Sequence, residues 1–304
     1  SLIIQFNYGF FDFNNLSEFI YKILSKKINI IIILHSTIDP NDFETKKLFL
    51  LSQAFSKCQR LIVHTINDLN RLKKIGLIDN VCLFPHPIYD HSLPIEKTKK
   101  ISIPFLSSKT MNISSYGFCL PNKGFKELIL ATNILIKDGL DIKLSIYSAI
   151  YNTEYKFVFN ELVDLVEDLN LKEYISLNPS YMKDSETIDL LKNSDLIVFP
   201  YQFTNESSSA AVRYGLSTLR PVLVTPLPIF DDISDLVYYL EGFSPTEIAG
   251  GIKKLVQNNN IFSIKNNQID VQKIKIIKQR SFSRISYRFL NMIKSLEVNY
   301  FMNY

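Results

Sequence analysis

The sequence predicts an α/β protein with two domains, each a parallel sheet flanked by helices. Its 304 residues exceed one typical domain, which holds about 100 to 200 residues. Short continuous apolar runs alternate with helical patterns in both halves of the chain, as in strands that are covered on both faces. Four prolines and a Lys-Thr-Lys-Lys run interrupt this alternation over residues 85–108. The interruption predicts a linker between two doubly wound domains.

The first half of the chain predicts a domain at residues 1–95. Its strand candidates are continuous apolar runs rather than the alternating pattern of half-exposed strands. They are Leu2–Phe6, Ile28–His35, Arg60–His64 and Val81–Phe84. Helical patterns lie at about 15–25, 41–57 and 66–75, and Gly76 ends the last of them.

Residues 96–110 are the predicted linker, and residues 111–260 predict a complete second domain of the same kind. Its strands are predicted at Asn112–Gly117, Lys143–Tyr147, Tyr174–Leu177, Leu196–Tyr201 and Val222–Thr225. Its helices are predicted at Phe125–Lys137, Glu154–Leu169, Ser185–Lys192, Ser207–Ser217 and Pro245–Gln257. Such alternation implies right-handed crossovers and a parallel sheet.

Residues 261–304 predict a C-terminal amphipathic helix. Over 267–297 apolar side chains recur at helical spacing, and Arg280, Arg284 and Arg288 repeat every four residues on another face. The net charge of the chain is +4, and this end carries an excess of basic residues. A solvated face is the default interpretation of such an excess, with anionic lipid as an alternative.

The composition favours a folded globular protein in a reducing compartment, and we expect it in the cytoplasm. Hydrophobic residues make up 46% of the chain and charged residues 21%, which lacks the polar bias of disorder. The three cysteines, Cys58, Cys82 and Cys119, are far apart, so neither a disulfide framework nor a zinc site is indicated. The longest apolar run is far shorter than the roughly 20 residues that cross a bilayer.

In doubly wound sheets, ligands bind outside the carboxyl ends of the strands, and the first candidate site is the turn from Gly117 to Gly124. Both glycines permit tight backbone turns, and Lys123 stands where an ammonium could meet a phosphate near a helix N-terminus. The alternative is an ordinary loop with a surface lysine. Neither GxGxxG nor a P-loop pattern is present.

The second candidate site runs from Phe199 to Arg213. The strand is predicted to end at Tyr201, and small residues, Ser207, Ser208 and Ser209, open the next helix. Their exposed amides and the helix dipole suit a diphosphate. Glu206 could accept hydrogen bonds from sugar hydroxyls, or Glu206 and Ser207 could simply cap the helix.

The third candidate is His35, at the carboxyl end of the most apolar strand of the first domain. A lone histidine is more often structural than catalytic, and His64, which also follows a strand, is assigned that structural role. The residues alone leave both roles open for His35.

Together these segments resemble the GT-B glycosyltransferases of family 4, which have two Rossmann-like domains and a C-terminal crossover helix. The segment Gly117-Phe118-Cys119-Leu120-Pro121-Asn122-Lys123-Gly124 keeps the glycines and the lysine of the family's Gly-Arg-Leu-x-x-x-Lys-Gly loop. Glu206, followed by Arg220-Pro221-Val222, looks like the family's Glu-x7-Glu element. The resemblance implies that Lys123 binds the donor diphosphate and that Glu206 and His35 contact the donor sugar.

Two positions depart from the family pattern. Phe118 stands in place of the loop arginine, and Tyr214 replaces the second glutamate, which would hold the ribose. Arg213, or the amides of residues 207–209, could compensate. The resemblance also implies an opening strand and a glycine-rich loop before Ser1. We therefore expect the chain to be an N-terminally truncated segment whose acceptor-side domain is partial. Such a segment can be inactive by itself.

The resemblance implies a retaining hexosyltransferase that uses a UDP- or GDP-sugar and a glycan or lipid-linked hydroxyl acceptor. Polysaccharide or glycolipid synthesis at the cell surface is the expected context. No Asp-x-Asp tripeptide is present, so the sequence requires neither a metal nor another cofactor. The arginine stripe predicts weak attachment to anionic membranes, and nucleic-acid binding is not indicated. The alternatives are an epimerase of the same fold and a degenerate module that binds sugar nucleotide or only partner proteins.

Overall fold

The computed structural model describes residues 1–90, 110–257 and 267–302. These residues divide into two compact units. Unit 1 comprises Ser1–Pro87, Asn205–Ser209 and the residues from Phe282 onward, and unit 2 comprises Ile88–Thr204 and Ala210–Ser281. The predicted linker over 96–110 lies outside the described residues except for Thr110, and so do residues 261–266 and 303–304 of the predicted C-terminal segment.

Unit 1 contains a four-stranded parallel sheet in the order β1-β2-β3-β4. The strands are β1 (Leu2–Phe6), β2 (Ile30–Leu34), β3 (Arg60–Val63) and β4 (Val81–Leu83). The helices are α1 (Phe13–Leu24), α2 (Ser52–Ser56), α3 (Ile66–Lys74) and, near the end of the chain, α10 (Phe282–Met302). The uninterrupted isoleucine run makes β2 an interior strand because both of its faces are covered.

Aromatic rings fill much of the core of unit 1. The ring of Phe6, at the end of β1, lies 5.6 Å from Phe55 and 5.8 Å from Phe13, measured between ring centroids. Tyr8 packs on the same ring at 5.4 Å. These separations fall in the range preferred by aromatic pairs, and they join α1 and α2 to the sheet.

The helix predicted over 41–57 is wrong in its first two thirds. The segment forms 3₁₀ turns at Glu44–Lys46 and Leu48–Leu51, and only Ser52–Ser56 is α-helical. Lys47, between the two turns, has an extended backbone. The amide of Leu48 donates to a carboxylate oxygen of Asp39 at 2.8 Å, so it is not available for the bond to residue 44 that a continuous helix requires.

Unit 2 is built on a six-stranded parallel sheet in the order β10-β9-β8-β5-β6-β7. The strands are β5 (Met111–Phe118), β6 (Ile142–Ala149), β7 (Ile175–Asn178), β8 (Leu196–Phe199), β9 (Val222–Val224) and β10 (Tyr238–Tyr239). The helices are α4 (Phe125–Lys137), α5 (Lys156–Asp168), α6 (Asp184–Lys192), α7 (Ala210–Ser217), α8 (Pro245–Gln257) and α9 (Asn267–Gln279). The α/β class and the flanked parallel sheets are confirmed.

The chain changes direction across this sheet between β5 and β8. From β5 it proceeds through β6 to β7 on one side, and from β8 through β9 to β10 on the other. The crevice outside the carboxyl ends of two such strands is where doubly wound sheets bind ligands. The residues that follow β5 and β8 therefore lie where a ligand is expected to bind.

The single helix predicted over 267–297 is two helices in the structure. α9 ends at Gln279 and α10 begins at Phe282, with the break at Arg280 and Ser281. The amide of Ile88 donates to the carbonyl of Arg280 at 2.8 Å, and Ile88 bridges to Ser281. Backbone groups used in this pairing cannot continue a helix. Arg280 therefore does not share a helical face with Arg284 and Arg288.

In the described parts of the chain, no helix combines the length and apolar character needed to cross a membrane.

Candidate functional site

The turn predicted as the first candidate site lies at the switch point of unit 2. After β5 the chain forms a 3₁₀ turn at Pro121–Lys123 and then enters α4. Gly124 has a φ of 73°, and a Cβ added there would lie 1.8 Å from the carbonyl oxygen of Pro200, just beyond β8. The amide of Gln202 donates to the carbonyl of Asn122 at 2.9 Å. The turn is thus fixed directly against the segment that follows β8.

We expect Gly124→Ala to lower the free energy of unfolding by about 1 to 3 kcal/mol, because it combines left-handed strain with a backbone clash. Gly139→Ala is the matched control, since Gly139 has a φ of 86° with no atom near its missing Cβ. Thermal melting of both variants separates strain from the clash. Equal melting temperatures for the two variants would contradict this account.

Lys123 is a buried cation rather than a surface lysine. The residue is only 7% exposed, and Nζ lies 4.0 Å from the centroid of the Tyr201 ring. An ammonium over an aromatic face is attracted by the negative face of the ring. This position brings a positive charge to the edge of the sheet between β5 and β8.

The amino end of α7 lies at the same edge of unit 2. A Cβ added to Gly117 would lie 4.0 Å from Cβ of Ala211, in the first turn of α7. The first turn contains no acidic residue. Backbone amides at the start of a helix and its dipole favour an anion. The glycine turn, Lys123 and the start of α7 therefore lie at one edge of unit 2, where a cation and a helix dipole favour an anion.

Ser207, Ser208 and Ser209 precede α7, which begins at Ala210 rather than at Ser207 as predicted. The backbone amide of Ser207 donates to the carbonyl of His35 at 3.0 Å, and its hydroxyl donates to Asp68 at 2.9 Å. The hydroxyl of Ser36 donates to the carbonyl of Asn205. These bonds hold residues 205–207 in unit 1 in a non-helical conformation.

His35 and Glu206 are brought together in unit 1 by this loop. Burial lowers the pKa of the half-buried His35 below its ordinary value, and the charge of the exposed Glu206 opposes this only in part. His35 Nε2 lies 2.7 Å from Oε1 of Gln5 on the neighbouring strand. The pair therefore offers a neutral imidazole beside an exposed carboxylate.

The lowered pKa of His35 predicts a loss of stability in acid. The unfolded histidine takes up a proton near its ordinary pKa of 6.5, whereas the folded one resists, so the unfolded state binds more protons and is favoured as the pH falls below that value. We expect His35→Gln to reduce the difference in unfolding free energy between pH 7.5 and pH 5.5. Urea denaturation at both pH values measures it, and an unchanged difference would refute the link.

Asp68 is the residue of this region that the sequence reasoning missed. It is fully buried and caps α3 through Thr65. It also accepts hydrogen bonds from Thr37 and Ser207, and it forms an ion pair with Arg71 at 3.0 Å. The spacing of Thr65 and Asp68 could have revealed the helix cap. No local sequence pattern predicts the bond of Asp68 to Ser207, 139 positions away.

Arg213, which was predicted to bind the donor, is buried and paired within unit 2. Its side chain is 2% exposed and forms an ion pair with Asp232. Arg280 approaches the same carboxylate at 3.8 Å. The ion pair gives Arg213 a structural role in unit 2, and its donor-binding role stays a prediction.

Tyr214, at the position of the family's second glutamate, is bonded inside unit 2. Its hydroxyl donates to Oδ1 of Asp184, in the first turn of α6, at 2.8 Å. Burial, followed by the bond to Asp184 and its charge, raises the pKa of the phenol. Tyr214 is therefore a neutral donor and differs in chemistry from the glutamate it replaces.

No protein-family model matches this sequence, and a search of curated proteins found none that is similar to it. Solved structures do resemble it. HepE of Anabaena, in complex with UDP, superposes with a TM-score of 0.75 at 13% identity, over 96% of this chain and 78% of HepE. A UDP-forming trehalose-phosphate synthase of Burkholderia vietnamiensis gives 0.74 at 9% identity, over 98% and 72%.

A mutant of TarM from S. aureus, in complex with fondaparinux, alpha-GlcNAc-glycerol and UDP, gives a TM-score of 0.64 at 18% identity, over 86% of this chain and 50% of TarM. Identities this low establish the fold alone. The chain thus has the GT-B fold that these glycosyltransferases share, in agreement with its α/β architecture and its two parallel sheets.

Proposed function

We propose that this protein is a retaining glycosyltransferase that moves a hexose from a nucleotide-diphosphate donor to a hydroxyl acceptor. The observation that carries the proposal is the buried ammonium of Lys123 beside the fixed turn at Gly124, at the switch point of unit 2. Water screens a buried charge poorly, so the ammonium and the start of α7 would attract an anion bound at this edge strongly.

Departure of the nucleoside diphosphate is the step that this arrangement assists. As the bond from the anomeric carbon to the diphosphate oxygen breaks, negative charge develops on the leaving group. Lys123 and the amides at the start of α7 stabilise that charge because they are already oriented toward it. We assign contacts with sugar hydroxyls to Glu206 and His35, by their resemblance to family 4.

Retention and independence from metals belong to the same proposal. The hydroxyl of the acceptor attacks the face that the diphosphate leaves, within a short-lived ion pair, and its proton passes to the departing phosphate. The charge of the leaving group is met by an ammonium and by backbone amides, so the proposed chemistry needs no cofactor. One solved neighbour, a trehalose-6-phosphate synthase, is described in terms of glycosyl transfer with retention.

The structural neighbours support UDP-sugars as the first donors to test. HepE has been crystallised with UDP, with UDP and glucose, and with UDP-glucose. GDP-sugars are the second group. We propose a glycan or lipid-linked acceptor in cell-surface polysaccharide or glycolipid synthesis and a cytoplasmic location, in keeping with three free cysteines.

We propose weak attachment to anionic membranes through Arg284 and Arg288. Arg280 is left out, because it lies outside α10 and donates to the carbonyl of Asp232. We expect changing both to glutamate to reduce sedimentation with anionic liposomes. Unchanged sedimentation would reject the attachment.

A donor-panel assay tests the proposed function. Purified protein is incubated with UDP- and GDP-sugars and candidate acceptors, and release of nucleoside diphosphate is measured together with the anomeric configuration of the product. An inverted product would overturn retention.

A second candidate function is a degenerate module that binds sugar nucleotide without turnover. The direction of Arg213 into the core and the bond of Tyr214 to Asp184 favour it, since both remove expected ligand partners. Calorimetry that shows binding without turnover would support the module, and absence of binding would reject both functions.

A further inference from the structure

Tyr201 follows β8 by two residues, and its neighbours fix both its ring and its backbone. The residue is 1% exposed. Its ring centroid lies 5.4 Å from that of Phe230 and 6.3 Å from that of Phe199. The hydroxyl of Thr225, directly beyond β9, donates to the carbonyl of Tyr201 at 2.6 Å. Tyr201 is therefore held in place by the core of unit 2.

The segment around Tyr201 lies against the turn that carries Lys123. On one side of Tyr201, the amide of Gln202 donates to the carbonyl of Asn122 at 2.9 Å. On the other side, the carbonyl oxygen of the preceding proline comes within 1.8 Å of where a Cβ on Gly124 would lie. Since these contacts flank both residues, the backbone itself places Lys123 opposite Tyr201.

The ring of Tyr201 gives the flexible side chain of Lys123 a fixed position. Nζ lies 4.0 Å from the ring centroid, and both residues are buried, so water competes little with the attraction between the cation and the ring. A lysine side chain otherwise moves among many rotamers, and ordering it only when an anion binds would reduce the affinity. A cation that is ordered beforehand stabilises developing negative charge more effectively.

The ring also holds the ammonium without cancelling its charge. A carboxylate at the same place would bring a negative charge and would weaken the attraction of the pair for a second anion. The face of an aromatic ring attracts a cation through its quadrupole and carries no net charge. The full charge of Lys123 therefore still acts on an anion at the edge of the sheet.

We propose that Tyr201 is a positioning residue, which holds the ammonium of Lys123 ready for the leaving diphosphate. The inference rests on the proposed function and deepens it, because it adds a residue that acts on the leaving group through Lys123. The aromatic face carries this role, and the phenolic hydroxyl is not required for it.

Calorimetric titration of the full chain with inorganic pyrophosphate, which carries the charge of the leaving group without a nucleoside, tests the inference. We expect Tyr201→Leu to weaken pyrophosphate binding about tenfold, which corresponds to about 1.4 kcal/mol, because leucine offers no aromatic face. Tyr201→Phe keeps the face and should bind pyrophosphate within twofold of wild type. A tenfold loss in both variants would overturn the inference, since it would assign the effect to the hydroxyl.

A double-variant cycle separates the positioning of Lys123 from a packing defect. UDP is the probe, because its nucleoside adds contacts that do not involve the ammonium. We expect Tyr201→Leu to weaken UDP binding about tenfold in the wild-type background and less than twofold in the Lys123→Ala background. Equal losses in the two backgrounds would contradict the inference, because a packing defect acts whether or not the ammonium is present.

Phe230→Leu is the matched control for packing, since it removes another fully buried ring from the same cluster. We expect it to lower the melting temperature, as Tyr201→Leu does, and to leave pyrophosphate binding within twofold. Equal weakening by the two variants, or unchanged binding in Tyr201→Leu, would overturn the inference while the proposed function stands. Wild-type protein that binds neither pyrophosphate nor UDP would reject the proposed function itself.

Discussion

Lys123→Ala is expected to lower the turnover of sugar transfer about 10²- to 10³-fold, the loss typical of removing one group that stabilises developing negative charge. The lysine is buried beside Tyr201, where water screens its charge poorly. The start of α7 and the backbone amides remain in the variant, so activity should fall without disappearing. Steady-state assays with the best donor of the panel measure the effect.

Lys126→Ala is the control for this prediction. Lys126 is an exposed lysine in the first turn of α4, three residues beyond Lys123. The Lys126→Ala variant changes the net charge by the same amount as Lys123→Ala and leaves the turn intact. Turnover within threefold of wild type for Lys123→Ala, or equal losses in the two variants, would show that the buried ammonium is not the group that meets the leaving diphosphate.

Arg213→Met is expected to lower the free energy of unfolding by about 3 to 5 kcal/mol, the cost of leaving one partner of a buried ion pair. Asp232 would remain in the core with Arg280 as its other cation, 3.8 Å away. Burial already raises the pKa of Asp232, and the charges of Arg213 and Arg280 lower it. Without Arg213 the carboxyl should therefore take up a proton more readily. Urea denaturation measures the loss.

The double variant Arg213→Met with Asp232→Leu distinguishes an isolated charge from a packing defect. Apolar residues of similar volume often replace a buried ion pair at little cost, so the second change should recover a large part of the lost stability. A loss below about 1 kcal/mol in Arg213→Met alone would contradict the assignment of Arg213 to the core.

The sheets were the most predictable part of the fold. Interior parallel strands must be apolar on both faces, so runs such as Ile30–Leu34 can be recognised as strands from the sequence alone. The two-residue strand β10 was missed, since Tyr238–Tyr239 is too short to carry a pattern. Helix boundaries were less predictable, because one competing hydrogen bond decides them, as Asp39 does at Leu48.

The residues of the candidate site also differ in how far the sequence could predict them. Gly124 and Lys123 stood out in the sequence because a tight turn before a helix has local requirements that only a few residue types meet. Their roles toward a donor remain proposals. Asp68 did not stand out, since its partner Ser207 lies far away in the chain.

The amino-acid sequence alone determined the α/β class, the two parallel sheets and the glycine turn of this protein, because periodicity and turn chemistry act between neighbours in the chain. Only the tertiary structure decided that Arg213 lies in the core and that Ser207 is held by Asp68. These outcomes depend on contacts between distant segments, whose energies no local pattern encodes.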